Sequence, residues 1–338
     1  MVESSRASGI YTFKMDKSEI LTYLTKTPFD ELVNAANSLR KKHIGEKVYI
    51  RAIVEFSNYC VRNCLYCGLR KDSKQIDRYR MVSDEISSVV KKITKINLRT
   101  VVLQSGDDFY YTKKKICTII EAIKSADSDI AITLSIGERP FSEYVAFRKL
   151  GADRFLLKHE TINSSLYAKL HPSQNLKRRI KTIEYLRKIG FQVGIGNIIG
   201  LPGQTLEDLA DDIIFMQDFQ PDMIGIGPFL PQKYTPLNKH VFKNIDLVLR
   251  VIALARIVTK DSHIPATTAM ATAKKNGQLS ALGVGANVIM VDFTPSKYRK
   301  NYRIYDDKIK ISLKKAEETI REAGRVMSYA RGDSLKNE

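Results

Sequence analysis

Apolar, β-branched runs recur along this chain, and the stretches between them carry their apolar residues at helical spacing. The runs at 48–56, 100–104, 131–136, 154–158, 192–199, 223–229, 264–269 and 287–293 read as strands. Helical stretches at 83–95, 113–125, 141–150, 174–189, 205–218 and 244–259 separate most of them, while the link between the last two strands is short and less clearly helical. The stretch 205–218 opens Thr-Leu-Glu-Asp, an N-cap followed by acids where the helix dipole favours them. Eight strands alternating with helices predict an α/β fold, a complete (β/α)8 TIM-type barrel. Ahead of the first strand, 17–24 and 28–42 predict two helices that cap the barrel's bottom. Behind the last, Ile311, Leu313, Ala316, Ile320 and Ala323 predict a closing helix over 311–332. The expected organisation is an N-terminal helical extension (1–46), a barrel (47–310) and a C-terminal helix and tail (311–338).

At 338 residues, 43% hydrophobic and 27% charged, the chain fits an enzyme of one large domain. Its net charge of +18 invites a nucleic-acid reading. However, the lysines are spread along the chain, with only short clusters such as Lys113–Lys115, Lys177–Arg179 and Lys314–Lys315. There is no basic tail and no RNA-binding motif, so this charge is assigned to solvated helix faces and no nucleic-acid partner is expected. A non-catalytic, basic RNA-binding protein is the distant alternative. No apolar stretch is long enough to span a membrane, and the run Met1–Tyr11 has no signal-peptide core. A cytoplasmic, reduced protein without a membrane partner is expected.

In that setting clustered cysteines point to metal or catalysis. Three of the four cysteines stand in Cys60-Val-Arg-Asn-Cys64-Leu-Tyr-Cys67, directly after the first strand. A structural zinc would need a fourth ligand, and no histidine follows at finger-like spacing, the next one downstream being His159. Disulfides need oxidising surroundings. Three thiolates suit an iron–sulfur cube that keeps one iron open for chemistry. The loop falls on the rim where barrel enzymes place catalytic residues. Ser105–Asp108, Glu138, Arg139, His159–Thr161, Thr267 and Thr268 fall on or near the same rim.

These residues resemble the radical S-adenosylmethionine superfamily, whose signature is CxxxCxxC after the first strand of a barrel. Within it the chain is similar to the HydE family of FeFe-hydrogenase maturases. The similarity is carried by Arg51–Asn58, Cys64–Arg70, Arg78–Met81, Val102–Gly106, Gly151–Thr161, Gly200–Thr205, Gly225–Phe229, Ile264–Met270 and Gly285–Met290, spanning roughly 40–306. Biotin synthase and methylornithine synthase are related, but Cys67–Arg70 and Pro265–Met270 favour the HydE pattern.

The resemblance implies that Cys60, Cys64 and Cys67 hold one 4Fe–4S cluster, whose fourth iron is chelated by the amino and carboxylate groups of S-adenosylmethionine. Reductive cleavage of that cofactor then gives methionine and a 5′-deoxyadenosyl radical. Tyr66 takes the position that borders the adenine. Ser105, Gly106 and Asp107 match the segment that receives the methionyl ammonium, with Asp107 standing where the family has Glu. Glu160 and Arg179 match positions near the cofactor, Arg179 suiting a forked contact with the methionyl carboxylate. The implied substrate is an Fe(CO)2(CN)–cysteine complex attacked at sulfur, in a cavity lined by Thr133, Arg154, Met223, Thr267, Thr268, Met290, Tyr302 and Tyr305. Lys158 stands where Arg is expected.

No cysteine follows Cys117, so the second cluster of some family members is not expected, and Cys117 reads as an inert core thiol beside Ile116, Ile119, Ile120 and Ile123. The implied partners are a small organometallic or amino-acid-derived substrate, an electron donor such as ferredoxin or flavodoxin, and the other hydrogenase maturases. The alternative is a HydE-like paralogue with another small-molecule substrate, such as a methylornithine-synthase-like mutase.

Overall fold

The computed structural model describes residues 14–336. Residues 1–13 of the expected extension and the last two residues of the expected tail lie outside the described residues. The first helices are α1 (Lys17–Thr25) and α2 (Phe29–His43). α1 opens on a capping box in which Asp16 and Glu19 each accept the other's backbone N–H. Strand and helix then alternate as β1 (Lys47–Ser57), α3 (Ser83–Lys95), β2 (Thr100–Ser105), α4 (Lys113–Ala126), β3 (Ala131–Ser135), α5 (Phe141–Lys149) and β4 (Ala152–Leu156). There follow α6 (Ser164–Leu170), α7 (Leu176–Lys188), β5 (Gln192–Ile195), β6 (Ile198–Ile199), α8 (Leu206–Phe219), β7 (Met223–Ile224) and β8 (Gly227–Pro228). The chain closes with α9 (Ile245–Thr259), α10 (Thr268–Ala273), α11 (Gly277–Gly283), β9 (Val288–Asp292), α12 (Ser296–Arg299), α13 (Leu313–Glu322) and β10 (Val326–Ser328).

Seven strands run in the order β10-β1-β2-β3-β4-β5-β7 in one curled, all-parallel sheet, and β9 also pairs with β1. Val48, Ile50, Ala52 and Val54 of β1 are fully buried, as are Arg51 and Glu55, because a parallel sheet wrapped by helices hides both faces. Two expected strands are split. At 192–199 and 223–229 the second halves leave the main sheet and pair with each other as β6 and β8, with Asn197 also bridged to Glu160. A Cβ on Gly196 would lie 2.1 Å from the Gly225 carbonyl oxygen, so this close backbone crossing requires glycine.

Three expectations need correcting. The strand at 264–269 is reduced to single bridges, Met223 with His263 and Pro265 with Val288. Pro265 has no ladder N–H to give, and Thr267 caps α10 by accepting from Met270 N, which turns the chain into a helix. The structure thus shows a TIM-like curled sheet with bridges in place of one stave. The C-terminal helix is shorter than 311–332, since Gly324 (φ +64) stops it and residues 326–328 join the sheet. Finally, α1 and α2 pack against the outer helices α8 and α9. The barrel bottom is instead met by the segment after β10. There Thr100 Oγ1 donates to Arg331 O at 2.9 Å, and Ser334 N donates to Gln192 Oε1 at 3.0 Å. Thr100 and Gln192 begin their strands, so these contacts lie at the sheet's N-terminal end. Cys117 is only partly buried on α4, beside the stripe of Ile116, Ile119, Ile120 and Ile123. Among the described residues no helix is long and apolar enough to cross a membrane.

Candidate active site

The cysteine loop leaves the C-terminal end of β1 and is held against the end of β2. Val61 N donates to Asp107 O at 3.0 Å, and a Cβ on Gly106 would sit 2.3 Å from Tyr59 O and 2.6 Å from Cys60 Cβ. On its other side, Gly68 N donates to Ile304 O at 3.0 Å. Cys60, Cys64 and Cys67 are all free and partly buried. Burial and the neighbouring Asp107 push the Cys60 thiol up to about 12, while burial and the other two cysteines push Cys67 up as well. Such thiols are poor free nucleophiles and need a cationic group to become thiolates. Among the described residues no three His, Cys, Asp or Glu side chains converge tightly enough for a single metal ion. Three thiolates on one short loop suit a cluster, in which each thiolate binds its own iron.

Around this loop stands a ring of buried and partly buried charge. Arg179, in the first half of α7, lies 2.6 Å from Glu138 through Nε, donates to Lys158 O at 3.2 Å and donates to Gln174 Oε1 at 3.1 Å. The Arg179–Glu138 contact is close but misaligned for a hydrogen bond, which leaves Nε and Glu138 Oε1 without partners by geometry. Burial opposes the Arg179 charge, but the facing Tyr167, Glu138, Asp107 and Glu160 raise its basicity. Glu160 follows β4 with its backbone in the left-handed region (φ +64), strain that an ordinary loop residue avoids. Its Oε2 lies 2.9 Å from Lys158 Nζ, again without hydrogen-bond alignment. Gln174 Nε2 approaches Cys64 Sγ at 3.2 Å.

Tyr66 is fixed from behind. Its hydroxyl lies 2.8 Å from His171 Nε2, and His171 Nδ1 lies 2.9 Å from Tyr167 O. A carbonyl only accepts, so Nδ1 carries the proton and Nε2 accepts from Tyr66. Burial pulls His171 down to about 4, which keeps the ring neutral for this role. Asp107 faces Arg62, whose Nε donates to it at 2.7 Å, and it also accepts from Glu138 N at 3.3 Å. Ser105 Oγ donates to Gly106 O at 2.7 Å.

The expected cavity residues divide along the barrel. Buried Tyr302, whose hydroxyl accepts from Gln104 Nε2 at 3.1 Å, and half-buried Tyr305 belong to the segment beside the cysteine loop. Thr267 donates to Ile226 O at 3.3 Å and, with Thr268, starts α10. Thr133 is buried with its hydroxyl unpartnered, next in register to Arg154. Arg51 Nη1 lies 2.7 Å from Met223 Sδ and is in register with Met290. Arg154 is directed to the barrel bottom, donating to Arg331 O and Asp333 Oδ1, each at 2.7 Å. Gln174, His171 and Arg62 are not among the residues that the sequence singles out. Glu138 stood on the expected rim and Arg62 inside the cysteine motif, whereas nothing in the sequence marked Gln174 or His171.

The radical SAM superfamily model matches residues 54–216 of this chain. The chain belongs to that superfamily of enzymes, whose members carry a 4Fe–4S cluster and S-adenosylmethionine. It is 45% identical over 280 residues to the FeFe hydrogenase maturase subunit HydE of Thermotoga maritima, spanning 83% of this chain and 80% of that protein, and it belongs to the HydE maturase family. It is also 26% identical over 276 residues to 3-methylornithine synthase of Methanosarcina acetivorans, across 81% of this chain and 77% of that one. In fold it is similar to the crystal structure of methylornithine synthase (PylB), with a TM-score of 0.84 at 24% identity over 94% of this chain and 96% of that one.

Proposed function

We propose that this protein is a radical SAM maturase of FeFe-hydrogenase cofactor assembly, with the Fe(CO)2(CN)–cysteine complex as its substrate. The observation that carries the reading is the cysteine loop: three partly buried thiols on one turn of chain, ringed by Glu138, Glu160 and Arg179 with polar atoms left unpartnered. In this reading Cys60, Cys64 and Cys67 hold one 4Fe–4S cluster. When bound, the cluster and S-adenosylmethionine supply a 5′-deoxyadenosyl radical that acts on the substrate's sulfur.

The protein's own groups bind and orient. Arg179 receives the methionyl carboxylate, and Ser105, Gly106 and Asp107 border the ammonium. Glu160 and Tyr66 position the nucleoside, Tyr66 being steadied by neutral His171. Asp107 is engaged by Arg62, so its part is to hold that arginine and the Glu138 backbone beside the loop. Thr133, Thr267, Thr268, Tyr302 and Tyr305 offer donors to cyanide and carboxylate groups, Met223 and Met290 shape the wall, and Arg154 anchors the far end. The dry interior protects the reactive species from water.

In the same reading the segment His263–Pro265 completes the eighth stave of the barrel, and residues 1–46, 47–310 and 311–338 form the extension, barrel and tail. No second cluster accompanies the first, because no cysteine follows Cys117. The protein works in the cytoplasm with a ferredoxin- or flavodoxin-type donor and the other maturases.

The test is incubation of reconstituted protein, S-adenosylmethionine and reductant with the synthetic iron–dicarbonyl–cyanide–cysteine complex, followed by electron paramagnetic resonance. A substrate-derived paramagnetic species supports the proposal. Cofactor cleavage that ignores this complex and responds to an amino-acid substrate overturns the substrate assignment in favour of a mutase.

A further inference from the structure

Gln174 bridges the cysteine loop and the largely buried Arg179. Its Nε2 lies 3.2 Å from Cys64 Sγ, and its Oε1 accepts from Arg179 Nη2 at 3.1 Å. Which amide end faces the sulfur follows from chemistry. A guanidinium has only N–H donors, so the atom turned to Arg179 has to be the oxygen, and the NH2 group is left facing Cys64.

Both ends of the bridge are built in. Gln174 N donates to His171 O at 3.0 Å, and the next residue, Asn175, caps α7 by accepting from Arg178 N. Arg179 is held a turn further along by Glu138 and Lys158 O. Cys64 comes from the β1 loop, so the contact is made between separate elements and is not an accident of chain neighbours. The charge on Arg179 polarises the amide and strengthens its N–H donor.

The geometry points to Gln174 as a tuning residue that hydrogen-bonds the Cys64 thiolate and raises the reduction potential of the cluster held there, with Arg179 setting its orientation. This rests on the reading that Cys60, Cys64 and Cys67 bind a 4Fe–4S cluster. A donor aimed at a cluster thiolate stabilises the reduced, more electron-rich state. The residue does not touch the reacting atoms and acts only through the sulfur.

The test is a redox titration followed by electron paramagnetic resonance on the anaerobically reconstituted full chain, without S-adenosylmethionine. Wild type is compared with Gln174→Met and Gln174→Glu. Met removes both hydrogen bonds at similar volume. Glu keeps the acceptor for Arg179 but replaces the donor with an anion. At a fixed solution potential the reduced-to-oxidised ratio is expected to fall about tenfold in Gln174→Met, a shift of about 59 mV for one electron, and at least as far in Gln174→Glu. Equal midpoints in wild type and either iron-loaded variant overturn the inference. A purely structural role would alter melting temperature or iron content and leave the midpoint in place. A wild-type chain that assembles no cluster overturns the reading of the cysteines, and this inference with it.

Discussion

Arg154 donates to Asp333 Oδ1 at 2.7 Å inside the N-terminal half of the barrel, so a fully buried guanidinium is neutralised by the chain's own tail. Gln192 Oε1 and Arg331 O take its other donors, and His263 Nε2 lies 2.9 Å from Asp333 O. Burial opposes the Asp333 charge, but Arg331 and Arg154 outweigh it and hold the carboxyl down at about 2. Asp333→Ala removes the carboxylate that pairs with Arg154. The expected loss is about 1.5 kcal/mol, the low end for a hydrogen bond between charged groups, because Asp333 is partly open to water. Urea denaturation checks it, and an unchanged midpoint would show that the tail does not hold the barrel bottom.

Glu55 gives a pH dependence of defined sign. Burial lifts its carboxyl from the ordinary 4.5 to about 7, against the pull of Lys308, with which it pairs. Between those values the folded chain keeps a proton that the unfolded chain has released. Its contribution is therefore complete below about pH 4.5 and is lost as pH rises through about 7. Thermal melts from about pH 5 to 8 should show wild type losing ground to Glu55→Gln as pH rises. Parallel curves for the two proteins would refute it.

Much of this architecture is legible in the chain because β2 and β3 are built on short apolar runs, β1 is interrupted only by Arg51 and Glu55, and helices such as α3 and α4 carry clear stripes. The Thr205 cap is equally visible, and its side chain accepts from Asp208 N as the sequence suggests. The stave at 264–269 misled because Ile264, Pro265 and Ala266 are apolar, while Pro265 and the Thr267 cap forbid an extended ladder. The tail misled differently. Val326 to Ser328 adds to the sheet only because β1 extends beyond its other partners, a relation between positions almost three hundred residues apart. At the site, the cysteines announced themselves by spacing. His171 and Gln174 did not, because what they do depends on Tyr66 and Cys64 arriving from another loop.

His171 is expected to matter through Tyr66. Removing its acceptor with His171→Phe strands the Tyr66 hydroxyl, a loss of about 1 kcal/mol or roughly fivefold in S-adenosylmethionine affinity. Equilibrium binding to the reconstituted protein measures this directly. Full affinity in the variant would mean that Tyr66 needs no support from behind.

Gly106→Ala places a methyl against Tyr59 O and Cys60 Cβ at less than van der Waals distance. One of the backbones has to move, at a cost of about 1–3 kcal/mol, and the cysteine loop is the element displaced. Iron content after reconstitution should fall sharply. Gly283→Ala, with nothing within 4 Å of the added carbon, is the control and should load normally. Equal iron in all three proteins would remove Gly106 from the account.

The most direct test of the central claim is the yield of 5′-deoxyadenosine from S-adenosylmethionine and dithionite under strict anaerobiosis. Wild type should bind roughly four irons per chain and form the product, whereas Cys64→Ala should form none. Equal yields from the two proteins would contradict the assignment of Cys60, Cys64 and Cys67 as the cluster's ligands.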